Sequence, residues 1–144
     1  MRIFTIGFTQ SSAENFFGRL MKSGVKRVLD VRLNNTSQLA GFAKAGDLPY
    51  FLKRIGKIDY RHEPLLAPTE EVMELAKGAK NWSEYEKRFR QLLAQRKIAQ
   101  KLDRKELDDA CLLCSEAKPH HCHRRLIAEY LSEAWGNSIR IEHL

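Results

Sequence analysis

Long hydrophobic runs are missing from this chain. No apolar stretch approaches the roughly 20 residues that a membrane-spanning helix needs, so a helical membrane protein is not expected. The opening residues Met1-Arg2-Ile3-Phe4-Thr5-Ile6-Gly7 are too short and too strand-like for a secretory signal. A cytoplasmic protein is the expectation. Cysteine is scarce, with three residues, an odd number. Without an export signal a disulfide framework is not expected. The thiols should then be reduced, and so buried, ligating or reactive. Internal repeats, low-complexity tracts and linker-like segments are also absent, and no partition into several domains is indicated.

What is present fits one ordinary domain spanning residues 1–144. A chain of 144 residues buries about two-thirds of its unfolded surface, enough to fold without a disulfide or a metal. The hydrophobic fraction of 43% and charged fraction of 30% argue against disorder and against a fibre. The 25 Lys and Arg outnumber the 18 Asp and Glu, for a net charge of +7. Such a balance favours anionic partners, whether a small molecule or nucleic acid. It equally suits a solvated basic face that keeps the protein soluble. Composition says nothing of a cofactor or of oligomeric state.

Short β-like runs alternate with helical ones. Arg2 to Ile6 reads as a strand. Ser11 or Ser12 can cap a helix that carries Phe16, Phe17, Leu20 and Met21 at helical spacing, with Gly24 after its end. Val25 to Val31 reads as a second strand and 33–45 as a polar loop. Leu48 to Ile55 forms a short helix closed by Gly56, and Ile58 to His62 a weaker strand. Glu70 to Ala76 reads as a short helix. The spacing of Trp82, Tyr85, Phe89, Leu92 and Leu93 predicts a long helix from Asn81 to about Lys101, with Asn81 and Glu84 placed like a capping box. Ala110-Cys111-Leu112-Leu113-Cys114 is nearly all apolar, as in a central parallel strand. Pro119 suits the first turn of a last helix that buries Leu126, Ile127, Tyr130, Leu131 and Trp135. Ser138 to Glu142 closes as a fifth strand. The alternation implies α/β architecture: a mostly parallel sheet of about five strands with helices on both faces.

Ligands of open parallel sheets bind beyond the carboxyl ends of the strands. Gly7 to Gln10, Asp30 with Arg32 and Asn34, Arg61 to Glu63, and Cys114 to Glu116 all lie there. The densest segment runs from Cys114 to Arg125. A helix start presents unpaired N–H groups and partial positive charge. With the planar fork of Arg124 it forms a candidate anion cradle. A thiol in that field would have a lowered pKa and could act as a nucleophile. Spacing does not choose between Cys114 and Cys122, and His123 or Glu116 could carry the proton. Glu116 could instead pair with Arg124 or Arg125 to fix the loop.

Cys111 belongs in the core. Its spacing to Cys114 resembles a zinc pair, but residues three apart on a strand point to opposite faces. Cys114, His120, His121, Cys122 and His123 remain formal zinc ligands, although no second ligand pair exists and no metal is assigned. Asp30 and Arg32 share a strand face. They could pair with each other or orient a ligand, with Thr9 assisting. The basic stretch from Lys87 to Lys105 reads as a nucleic-acid face or as the solvated side of an amphipathic helix.

Several of these residues together resemble the family called domain of unknown function 488, a widespread group of small prokaryotic proteins. They are Thr5-Ile6-Gly7, Asp30-Val31-Arg32, Phe42…Leu48…Leu52, Tyr60, and above all Leu113-Cys114-x-Glu116-x-x-Pro119-x-x-Cys122-His123-Arg124 with Ile127-Ala128. The resemblance implies a compact α/β domain and brings no settled activity. Phe8-Thr9 stands where the family usually has His-Ser. Leu65-Leu66-Ala67 replaces its Leu-Gly-Gly turn, and Asn34 or Asn35 its proline.

The leading expectation is an enzyme or ligand-handling domain for a phosphorylated or otherwise anionic substrate, such as a nucleotide or nucleic acid. Cys114 or Cys122 would react, His123 or Glu116 would move protons, Arg124 and Arg32 would hold the anion, and Asp30 and Thr9 would orient it. A non-catalytic nucleic-acid-binding module using the basic helix is the alternative. Sulfur transfer of the rhodanese kind is fainter.

Overall fold

The structure, a computed structural model, describes residues 1–35, 41–76, 81–116 and 122–144. Strands β1 (Arg2–Gly7), β2 (Arg27–Asp30), β3 (Asp59–His62), β4 (Ala110–Cys114) and β5 (Arg140–His143) form one sheet, ordered β3-β2-β4-β1-β5. Every neighbouring pair is parallel. The helices are α1 (Ala13–Ser23), α2 (Leu48–Gly56), α3 (Glu70–Ala76), α4 (Trp82–Gln95), α5 (Ile98–Lys101), α6 (Arg104–Leu107) and α7 (His123–Ala134). None is long and apolar enough to cross a membrane, among the described residues. The α/β architecture expected from the alternation is present, and the apolar run Ala110 to Cys114 is the central strand.

Side chains alternate across a strand, so the sheet has two apolar faces. On one, Ile3, Leu29, Leu112 and Cys114 pack with Phe89 and Leu93 of α4 and Leu126 and Leu131 of α7. On the other, Phe4, Ile6, Val28, Cys111 and Leu113 pack with Phe16, Phe17 and Leu20 of α1 and Leu48 and Leu52 of α2. The chain leaves β1 and β2 by helices on the second face and leaves β4 by α7 on the first. β4 therefore sits where the direction of winding reverses, and in such sheets that point opens a crevice at the carboxyl ends.

Local chemistry accounts for most element ends. Ser12 Oγ accepts from Asn15 N at 3.1 Å, and Gly24 takes φ 80° after α1. Other ends differ from the sequence pattern. α2 runs through Gly56, and Lys57 takes the left-handed turn at φ 53°. Asn81 makes no side-chain cap, and Glu84 pairs with Arg88 at 3.1 Å. The long helix expected to reach Lys101 stops at Gln95. There Arg96 turns to donate to the carbonyls of Leu65 and Ala67 at 2.7 and 2.6 Å, and Lys97 adopts φ 55°. That break lets Ile98 enter the core. α6 was not apparent from periodicity; Asp103 caps it by accepting from Lys105 N at 2.8 Å. β2 is shorter than expected, and β5 is shifted toward His143. Pro119 lies outside the described residues, and α7 starts with Cys122 as its N-cap.

Gly7 closes β1 where two segments meet most tightly. A Cβ there would lie 1.5 Å from the Glu116 carbonyl oxygen and 2.8 Å from Arg124 Nη1. Gly7→Ala is therefore expected to lower stability by about 1–3 kcal/mol or more, the range for overpacking. Urea unfolding measures this, and an unchanged midpoint would contradict the close approach.

Candidate active site

The register aligns Gly7 with Cys114 and Asp30 with both Leu113 and His62. The polar strand ends expected to share one cleft do lie along one sheet edge. They divide, however, between its two faces.

On the α7 face, β4 delivers Cys114 and the first turn of α7 delivers Cys122, His123 and Arg124. The Sγ atoms of Cys114 and Cys122 are in bonding contact, with Cα atoms 7.6 Å apart. Disulfides usually hold their Cα atoms within about 4.4–6.8 Å, so the backbone is spaced for two facing sulfurs. The expectation that the thiols are reduced is corrected at this pair, brought together because β4 ends beside the N-cap of α7. Cys111 is unpaired and fully buried, and its thiol pKa is pushed up by burial.

Arg124 is 0% exposed. Its Nε donates to Thr5 Oγ1 at 3.2 Å, and its Nη1 to Cys114 Sγ at 3.0 Å and to the Glu116 carbonyl at 2.5 Å. Burial lowers its pKa to about 10, which leaves it cationic at neutral pH. The guanidinium expected to meet an anion is directed at Cys114. A fixed cation beside a sulfur favours the thiolate. Glu116 reaches Arg124 through its backbone carbonyl, and its side chain is exposed.

His123 Nε2 lies 2.6 Å from the Val31 carbonyl oxygen. A carbonyl only accepts, so Nε2 carries the proton and Nδ1 keeps a lone pair. Nδ1 stands 3.9 Å from Cys122 Sγ. Burial, with the nearby Arg124 charge, lowers the imidazole pKa to about 4 against the opposing bond to Val31 and the Asp30 charge. His123 is therefore neutral at physiological pH and suited to accept the Cys122 S–H. A cavity of about 100 Å³ opens on this group, lined also by Met73, Tyr85 and Ser115.

On the opposite face, Asp30 and Arg32 pair with each other as one of the two sequence options had it. Arg32 Nε donates to Asp30 Oδ1 at 2.8 Å and Nη2 to Oδ2 at 2.7 Å. Tyr60 OH donates to Asp30 Oδ2 at 2.5 Å, and Asn35 Nδ2 to the same oxygen at 3.3 Å. Burial pushes the Asp30 carboxyl up, but the hydrogen bonds and charge of Arg32 and the Tyr60 hydroxyl outweigh it and hold it below 3.8. The Tyr60 hydroxyl is raised by burial and by the Asp30 carboxylate. Thr9 donates its N–H and hydroxyl to the Ser115 carbonyl, joining the exits of β1 and β4. His62 Nε2 donates to the Arg32 carbonyl at 3.0 Å.

Tyr60, Thr5 and His143 had no functional role in the sequence pattern. A hydroxyl in the apolar run of β1 was the available signal for Thr5. The basic stretch is largely tied down: Arg88 pairs with Glu84, Arg90 with Glu129 and Glu133, and Arg96 with backbone carbonyls. Among the described residues no three His, Cys, Asp or Glu side chains gather as metal ligands. His120 and His121 lie outside them.

The His123 imidazole links this site to stability. Its pKa is 6.5 when free and about 4 when folded, so between those values the unfolded chain binds more protons. Stability is expected to be full above that window and to fall as pH drops from 6.5 toward about 4. His123→Gln should flatten the drop, and denaturant unfolding at a series of pH values measures it. An equally steep drop in the variant would contradict the assignment.

The chain belongs to the family described as Domain of unknown function DUF488, which matches residues 12–131. The match takes in Asp30, Arg32 and the whole Cys114 to Arg124 segment, and leaves Thr5, Gly7 and His143 outside. No curated protein and no solved structure matches the chain.

Proposed function

We propose that this DUF488 protein is a thiol-dependent enzyme whose Cys114 and Cys122 exchange with a small anionic disulfide. The observation that carries the proposal is the unlike surroundings of two touching sulfurs: a guanidinium 3.0 Å from Cys114 and an imidazole lone pair 3.9 Å from Cys122. Cys114 is the thiolate and nucleophile; Cys122 is the protonated, resolving thiol.

The exchange balances without a further reagent. Cys114 thiolate attacks one sulfur of the substrate disulfide, forms a mixed disulfide and expels the other half as thiolate. That thiolate takes the Cys122 proton. The Cys122 sulfur then attacks the Cys114 sulfur and expels the second half as thiolate. The protein pair ends oxidised and the substrate ends as two separated halves, one a thiol and one a thiolate. The chain's net charge of +7 favours an anionic substrate. The cavity beside the sulfurs gives a disulfide access.

The test incubates the reduced protein with oxidised glutathione, a small anionic disulfide, and follows it by mass spectrometry. The wild type is expected to close Cys114 to Cys122 and release reduced glutathione. Cys122→Ser should stop at glutathione bound to Cys114, and Cys114→Ser should react at least about tenfold more slowly. An inert wild type, or trapping on Cys122 in Cys114→Ser as fast as on Cys114, would overturn the proposal.

A further inference from the structure

The hydrogen bonds of Cys114 continue beyond Arg124 to the far edge of the sheet. Thr5 Oγ1, 0% exposed, accepts from Arg124 Nε at 3.2 Å. The same oxygen is 2.6 Å from Nδ1 of His143 on β5. A hydroxyl has one proton to give. In the Nε2–H tautomer of His143, Nδ1 is an acceptor, and Thr5 gives it that proton while its own oxygen accepts from the guanidinium. The chain of donors is then directional: Arg124 to Thr5, Thr5 to His143. It fixes the oxygen that holds Arg124 Nε while Nη1 of the same planar group lies on Cys114.

We propose that His143 is a positioning residue for Cys114, acting through Thr5 and Arg124. The proposal rests on the thiol chemistry above and adds to it a control at a strand edge outside the family match. Neutral His143 orients the Thr5 hydroxyl, and the oriented hydroxyl anchors the guanidinium that stabilises the thiolate. An apolar side chain at 143 leaves the buried hydroxyl proton without this acceptor, so Thr5 no longer offers Arg124 a fixed lone pair.

The neutral form is the one the surroundings favour. Arg124 and Arg125 of α7 face the ring with positive charge, against Glu129 of the same helix. On its own strand Glu142 is engaged with Arg140 at 3.1 Å, and β1 offers the Thr5 hydroxyl. Burial first, and then the two arginines, lower the His143 pKa below its ordinary value.

The test measures iodoacetamide alkylation of each cysteine in the reduced full chain across pH, resolved by peptide mass spectrometry. His143→Leu is expected to raise the Cys114 midpoint and slow its alkylation at neutral pH by about threefold or more, the net worth of one ordinary hydrogen bond. The high-pH plateau should be unchanged. His143→Asn, whose Oδ1 can accept the Thr5 proton, should restore the wild-type profile. Thr5→Val should match His143→Leu, and Thr5→Ser should match the wild type. A lowered wild-type midpoint that His143→Leu leaves unmoved overturns the relay alone. A wild-type Cys114 midpoint no lower than that of a free thiol, about 8.5, overturns the thiol chemistry and the relay with it.

Discussion

A guanidinium buried at the carboxyl ends of two central strands is the constraint on which the proposed chemistry depends. Taking an arginine out of water costs several kcal/mol unless hydrogen bonds and opposite charge replace the solvent. Arg124 obtains bonds from Thr5 on β1, Cys114 on β4 and the Glu116 carbonyl beyond β4. A thiolate at Cys114 supplies negative charge where the guanidinium needs it. In the proposed chemistry the same contact offsets the buried charge and activates the sulfur. Gly7 makes the arrangement possible, because a side chain there would occupy the space of the Glu116 carbonyl and Arg124.

The sheet edge carries two polar groups with different work. On the α7 face the sulfurs and His123 line a small cavity, with Arg124 buried behind Cys114. On the α1 and α2 face Asp30, Arg32, Tyr60 and Asn35 are hydrogen-bonded into a knot around the Asp30 carboxylate. The Val31 carbonyl joins the groups by accepting from His123, and the Arg32 carbonyl beside it accepts from His62. The knot holds the end of β2 in place, and that end holds the imidazole facing Cys122. Ionised Asp30 is thereby part of the thiol site's support without touching a sulfur.

The layered architecture was legible because it rests on local pattern. The apolar run Ala110 to Cys114 marked the central strand, and its period placed Cys111 and Cys114 on opposite faces. The Cys-His-Arg segment also marked the candidate site. Roles were less legible, since they depend on distant partners. Arg124 has the composition of an anion binder and becomes an internal residue only because Thr5 and Gly7, more than a hundred positions earlier, receive it. The helical pattern of α4 continues through Arg96, and its break depends on carbonyls of Leu65 and Ala67. Tyr60 reads as one more strand aromatic until the register of β2 and β3 sets it beside Asp30. His143 carries no motif and gains meaning only from its position beside Thr5.

The asymmetry of the two sulfurs is open to direct measurement. Cys122→Ser leaves Cys114 with the buried, unreactive Cys111, so ultraviolet absorbance of the thiolate against pH reports Cys114 alone. A midpoint well below the free-thiol value of about 8.5 is expected from the guanidinium at 3.0 Å. A midpoint at or above it would mean that Arg124 does not activate the sulfur, and would contradict the site's proposed chemistry at its root.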